Sequence, residues 1–162
     1  MQLRLDMSKT GRWLQIRDGD KDALAIYEKH YSCYRYADDR PRFQFIGPGE
    51  HIALMTADCQ ALFVWRMFQS NAGQAGINCA VFRNEGPHLS SSLILEAEAW
   101  ALDRWGPTRA YTYINPRAIK SQNPGYCFKI AGWQPAGISK KRKLLILEKH
   151  LCQAAQLAAK LR

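Results

Sequence analysis

Ile77-Asn78-Cys79-Ala80-Val81-Phe82, then Arg83-Asn84-Glu85-Gly86-Pro87-His88, then Leu89-Ser90-Ser91-Ser92 and a helical pattern ending at Trp105, is the stretch on which the fold turns. The apolar run has strand length, and Gly86-Pro87 is turn chemistry. Beyond it, Ile94, Ala97, Ala101 and Trp105 recur at helical spacing, which predicts a helix over Ser91 to Trp105 with that face inward. In this strand–turn–helix, Arg83, Gly86 and the hydroxyls and free amides of Ser90 to Ser92 converge where the helix dipole is positive. Such a place suits an anion, phosphate above all. The alternative is an ordinary serine N-cap after a surface turn.

Working outward, Gly106-Pro107 stops the helix and Arg109 to Ile114 alternates as the next strand, ending at Asn115-Pro116. Asn123-Pro124-Gly125-Tyr126 opens a short helix that closes at Ala131-Gly132-Trp133, and Lys143 to Leu147 reads as a last strand. On the N-terminal side, Trp13 to Arg17 reads as a strand and Lys21 to His30 as a helix capped by Asp18-Gly19-Asp20. Phe43 to Ile46, His51 to Met55 and Ala61 to Phe68 read as an antiparallel meander. The order predicts a single α/β domain with a mixed sheet flanked by helices, over residues 1–149. From His150 to Arg162, Leu151, Ala155, Ala158 and Leu161 suggest an amphipathic helix or tail that docks on the core or on a second subunit, a possible dimer.

Lys and Arg number 23 against 14 Asp and Glu, a formal charge of +9, so a polyanion is the expected partner. The excess gathers at Arg35, Arg40 and Arg42 and again at Lys140-Lys141-Arg142-Lys143. Between Tyr31 and Arg42, Tyr34 and Tyr36 interleave with Arg35 and Arg40, a mixture that stacks bases and contacts phosphates; its plainer reading is a loop folded down by aromatic anchors. Five widely spaced cysteines without a CxxC pair indicate neither a disulfide framework nor a zinc ribbon. No signal-like segment or membrane-length apolar run is present, so the expectation is a cytoplasmic protein with no membrane association.

The element order, with an anion-binding turn between the middle strand and a long helix, resembles the GCN5-related N-acetyltransferase fold. More specifically, Cys79-Ala80-Val81-Phe82-Arg83-Asn84-Glu85-Gly86 with Leu89-Ser90-Ser91, the pair Asn115-Pro116, Pro124-Gly125-Tyr126-Cys127-Phe128 leading to Ala131-Gly132-Trp133, and His30-Tyr31-Ser32 are similar to the Mom family of phage DNA-modification proteins. The similarity spans about residues 12 to 149. It implies an enzyme that uses acetyl-CoA to convert the exocyclic amine of adenine in double-stranded DNA into an acetamido (carbamoylmethyl) amine, an anti-restriction modification. Phe82, Arg83, Gly86, Ser90 and Ser91 then fall at acetyl-CoA positions, and His30 and Tyr31 at positions proposed to bind iron. A third ligand, an aspartate in the family, aligns near Asn115, and a neutral amide is a poorer ligand for a hard cation.

Two further expectations concern catalysis. His30 at a helix end can serve as base, ligand or dipole-completing cation. In ordinary N-acetyltransferases a tyrosine four residues before the glycine of the last short helix protonates the departing thiolate. Here that position holds Phe128, leaving Tyr126 as a substitute only from a rotated or displaced helix. An acetyltransferase acting on a protein, RNA or hypermodified-base amine, and a nucleic-acid-binding relative without chemistry, are the competing functions.

Overall fold

The computed structural model of the chain describes residues 11–68 and 73–152. Its elements in chain order are β1 (Trp13–Ile16), α1 (Lys21–Tyr27), β2 (Glu50–Thr56), β3 (Ala61–Met67), β4 (Ile77–Asn84), α2 (Ser90–Trp105), β5 (Thr108–Ile114), α3 (Tyr126–Ile130), β6 (Gln134–Ile138) and β7 (Leu145–Leu151). The strands form one mixed sheet in the order β1-β2-β3-β4-β5-β7-β6, with every pairing antiparallel except β4 with β5. That one parallel step is what the α2 crossover provides, since parallel neighbours cannot be joined by a tight hairpin.

Helix α2 covers one face. Leu93, Ile94, Ala97 and Ala101 are wholly buried, and Leu93 and Ile94 each contribute on the order of 2 kcal/mol by leaving water. Three buried indoles fix its seat: Trp13 Nε1 donates to the Leu93 carbonyl at 2.7 Å, Trp65 Nε1 to the Ala97 carbonyl at 2.8 Å, and Trp133 Nε1 to Glu98 Oε1 at 2.8 Å. Helix α1 covers the other face, packing Ala23, Ile26 and Tyr27 with Phe45, Ile46, Leu62, Val64 and Val81 into a second core. The Asp20 side chain caps α1 by accepting from Asp22 and Ala23 amides. No described helix is long and apolar enough to cross a membrane.

Several local expectations are corrected. Helix α1 ends at Tyr27 rather than His30, because its last bonds tighten to Lys29 N–H with Ile26 and His30 N–H with Tyr27. Phe43 to Ile46 is not a strand: Phe43 is exposed, while the Phe45 amide donates to Asp18 Oδ1 at 2.8 Å and its ring stacks on Tyr27. β6 was not expected at all, since Pro135 and Gly137 suit only an edge strand, which is its place in the sheet. β7 begins at Leu145 and runs through His150 and Leu151, so the expected tail starts within a strand, and residues 153–162 lie outside the described residues. Helix α2 starts at Ser90 with Leu89 as N-cap, and no side chain caps it.

Candidate functional site

β4 and β5 separate soon after they meet. Their parallel pairing covers Ile77 with Ala110, Asn78 with Tyr111 and Cys79 with Thr112, and there it stops, although β4 continues to Asn84 and β5 to Ile114. At the vertex the Thr112 hydroxyl donates to the Cys79 carbonyl at 3.0 Å. On the opposite edge the β3–β4 register shifts, with Val64 facing Val81 and Trp65 facing Cys79, so Ala80 is a bulge. A bulge bends the strand. The parting leaves a cleft of about 150 Å³ lined by His30, Tyr31, Asn78, Ala80, Phe82 and Phe128, with Asn115 and Arg142 at its margin. Such a crevice beyond the carboxyl ends of parallel strands is where α/β sheets bind ligands.

Two strand edges facing a gap carry backbone groups that need partners. His30 and Tyr31 supply them. His30 Nδ1 accepts from the Ser32 amide at 3.1 Å and lies 2.7 Å from Ser32 Oγ, leaving Nε2–H for the Phe82 carbonyl on β4. Burial, then the nearby Arg83 guanidinium, hold its pKa down at about 4, against a smaller opposing effect of the Phe82 carbonyl. The ring is therefore neutral at pH 7. Tyr31 stacks against His30 with ring centroids 4.2 Å apart and donates from its hydroxyl to the Tyr113 carbonyl on β5 at 3.1 Å. Burial, then proximity to Cys79, push its pKa up to about 12. The pair is a clasp across the split: one ring holds β4, the other β5. Tyr31→Phe is expected to cost about 1 kcal/mol in urea denaturation, the net worth of one hydrogen bond.

His30 and Tyr31 stand ring against ring in the cleft wall, and Asn115 lines the same cleft. Both His30 nitrogens are engaged, Asn115 Oδ1 accepts from the Arg117 amide at 3.1 Å in a turn, and no group of three or more His, Cys, Asp or Glu that could hold a metal occurs among the described residues.

The bulge at Ala80 also redirects the rest of β4. Val81 joins the core on the α1 face and Phe82 packs on the α2 face, so Arg83 emerges toward α1 and Asn84 toward α2. Arg83 accordingly donates from Nη1 to the Lys29 carbonyl at 3.0 Å and from Nε to Glu85 Oε1 at 3.0 Å, and does not join the α2 N-terminus as expected. Asn84 takes that place. Its Nδ2 donates to the His88 carbonyl and to Ser90 Oγ, and its Oδ1 accepts from the Gly86 amide, which closes the loop into α2. Space at Gly86 is tight, since a Cβ there would meet Gln60 Oε1 at 2.9 Å and Gln60 Cβ at 3.0 Å, so a larger residue requires Gln60 to shift. Ser91 is buried at the head of the uncapped helix.

Phe128 is buried in the cleft wall, edge-on to Phe82 at 5.8 Å and to Trp133 at 5.0 Å. The position of the expected thiolate acid is thus an apolar wall. Tyr126 is exposed at the start of α3 and is not among the cleft-lining residues.

Of the basic segments, the second reaches the cleft through Arg142, whereas Arg42 of the first lines a neighbouring cavity that shares Ser32, Asn78 and Ala80 with it. Arg142 reaches the cleft margin from the turn between β6 and β7, where Lys140 and Lys141 are exposed and Arg117 Nη2 donates to the Arg142 carbonyl at 2.6 Å. On the α1 side, the Arg42 guanidinium lies 5.7 Å from the Tyr27 ring and 5.6 Å from Tyr34, Tyr34 meets Tyr36 edge-on, and Arg40 sits 4.0 Å over Tyr36. Arg35 is exposed beside them. This alternation of rings and cations is the form the sequence mixture takes. Comparison of the chain with protein-family models, curated proteins and solved structures finds no match.

Proposed function

We propose that the chain is an acetyl-CoA-dependent enzyme of the Mom type, built on an N-acetyltransferase-like sheet, that modifies the adenine amine of double-stranded DNA. The observation that carries the reading is the parting of β4 and β5, which opens a cleft lined by Arg142 and adjoining a cavity lined by Arg42. Acetyl-CoA supplies an activated acyl group. Its phosphates suit the uncapped amides of Ser90 to Ser92, and its acyl arm suits the strand edge left unpaired from Ala80 onward. Phe82 and Phe128 make that edge apolar and exclude water. Arg142, Lys140, Lys141, Arg35 and Arg40 provide the charge that holds a phosphate backbone, and Tyr34 and Tyr36 the faces on which an unstacked base rests.

The second reading, a nucleic-acid-binding relative without chemistry, is favoured by the engagement of His30 and Tyr31 with backbone. One experiment separates the two. Nucleosides from DNA of bacteria expressing the chain are expected to contain an adenine heavier by one acetamido unit. Ala80→Leu, which fills the cleft, is expected to abolish that product while duplex binding persists with a slope of about −0.9 in log K against log salt per neutralised phosphate. Absence of the product with a folded, DNA-binding wild type supports the binding reading; salt-insensitive affinity argues against nucleic acid altogether.

A further inference from the structure

The two ends of the sheet are protected differently. A terminal strand turns alternate N–H and C=O groups outward and is a template for further pairing unless charge, proline, a bulge or a covering segment blocks it. β6, at one end, carries Pro135 and Gly137 and a register shift between them. β1, at the other end, is Trp13-Leu14-Gln15-Ile16, paired with β2 in unbroken register and without charge or proline. Its length of four residues is its one intrinsic defence.

A groove runs beside this edge. A space of about 510 Å³ is floored by Leu14 and Ile16 of β1 and Met55 of β2, and walled by Asp18, Asp20 and Asp22 at the entry to α1. Leu14 and Ile16 are partly exposed, and Ile16 and Met55 pack with the core under α1, so the groove opens on the α1 face. Cys59 lines it as well and is exposed. Partial desolvation, then Asp22, Asp20 and Asp58, raise the pKa of this thiol, which agrees with a negative groove in a chain whose formal charge is +9.

The chain itself offers a segment of matching pattern. Met1-Gln2-Leu3-Arg4-Leu5-Asp6-Met7-Ser8 alternates apolar with polar residues at strand period, and with Lys9 it sets two cations, Arg4 and Lys9, against one acid, Asp6. An extended strip of this kind suits a strand edge with an apolar floor and acidic walls. Its own β1 is badly placed to receive it. The Arg12 amide donates to Glu96 Oε2 at 3.2 Å, the guanidinium donates to both Glu96 oxygens at 3.0 to 3.3 Å, and a Cβ on Gly11 would stand 3.6 Å from that carboxylate. The backbone therefore enters β1 from the α2 face, opposite to the groove.

We propose that this groove is an interface between two copies of the chain, each adding its residues 1–9 as a strand to the free edge of the other's β1. The exchange uses the same surface on both copies, so it closes at two. It covers both β1 edges and leaves the β4–β5 cleft, on the far side of β2 and β3, open in each copy.

Sedimentation equilibrium over a concentration series is expected to show a monomer–dimer equilibrium for the full chain and a monomer for a chain lacking residues 1–9, which keeps Arg12 and its hold on Glu96. Leu5→Asp, which puts a charge on the apolar side of the arm, is expected to weaken the dimer by at least about tenfold, and it carries the test if circular dichroism shows the shortened chain unfolded. Asp22→Lys, which reverses one wall, is expected to weaken the dimer by a smaller factor that fades at high salt. Alkylation of Cys59 by iodoacetamide, followed by mass spectrometry of its peptide, is expected to be slower in the dimer than in the shortened chain. A dimer that survives both the deletion and Leu5→Asp puts the interface elsewhere and overturns the proposal. A monomeric full chain overturns it too: Cys59 shielded until residues 1–9 are removed would place the arm on its own β1, and Cys59 equally reactive in both chains would leave the groove without it.

Discussion

Between pH 7 and pH 4 the folded chain is expected to lose about 3 kcal/mol of stability through His30 alone. In the unfolded chain this imidazole titrates near 6.5, and in the fold burial and Arg83 hold it at about 4. Between those values the unfolded chain carries a proton that the folded chain does not, so acid favours unfolding. The contribution is complete above pH 6.5, falls as the pH drops through the window, and is gone below pH 4. His30 is only 9% exposed, so solvent does little to soften the effect. Urea denaturation at intervals across this range should show the wild type approaching the His30→Gln variant as the pH falls, because glutamine keeps a donor for the Phe82 carbonyl but does not titrate. Parallel curves for the two proteins would mean that His30 takes up its proton at the same pH folded as unfolded, and the clasp would then be wrongly built. Protonation also removes the Nδ1 acceptor for the Ser32 amide, so the 30–32 segment is the first part of the cleft wall expected to leave β4.

Periodicity made part of the fold legible. The β4–α2–β5 unit could be read because an apolar run, a helical stripe and a Gly-Pro stop coincide between Ile77 and Pro107; burial of Ile94, Ala97 and Ala101 agrees with that stripe, while Trp105 at its end is only partly buried and Leu93, outside it, is buried as well. The direction of Arg83 could not. Strict alternation from Cys79 would place Arg83 on the α2 face, and only the extra residue at Ala80 puts it with α1, a feature set by pairing with β3 rather than by local composition. The strand expected over Phe43 to Ile46 failed for a related reason: Phe45 and Ile46 are both buried, an arrangement that alternation cannot produce.

The clasp was half legible. His30 and Tyr31 stood out as a pair, yet their partners, the Phe82 and Tyr113 carbonyls, are backbone groups exposed by the splitting of the sheet. Nothing in a side-chain pattern announces that split.

On the opposite face the split is held by a buried ion pair, and cutting it is expected to destabilise the chain by about 3 kcal/mol. The strand pairing that joins the β1–β4 half of the sheet to the β5–β7 half is short, three registers of β4 with β5, supplemented by the Thr112 hydroxyl on the Cys79 carbonyl and by Arg109 on the Ala75 carbonyl. Helix α2 makes up the difference. Its Glu98 accepts from Lys149 Nζ of β7 at 2.8 and 3.1 Å and from Trp133 Nε1, while the same ammonium donates to the Ala131 carbonyl at 2.7 Å. Glu98 is 6% exposed, and burial raises its pKa against the opposing pull of Lys149 and Trp133. Lys149→Met keeps the aliphatic stem but leaves this carboxylate with one neutral donor, so its pKa rises further. A raised carboxylate stabilises the fold below its ordinary titration range and loses that contribution as the pH rises through the shifted value, so the variant's deficit should be largest at neutral pH and shrink in acid. Adding Glu98→Leu removes the stranded charge and is expected to recover most of the loss, since well-packed apolar residues often replace a buried pair at little penalty. A loss below about 1 kcal/mol in Lys149→Met would mean that water reaches Glu98, and that α2 does not couple the two halves across the cleft.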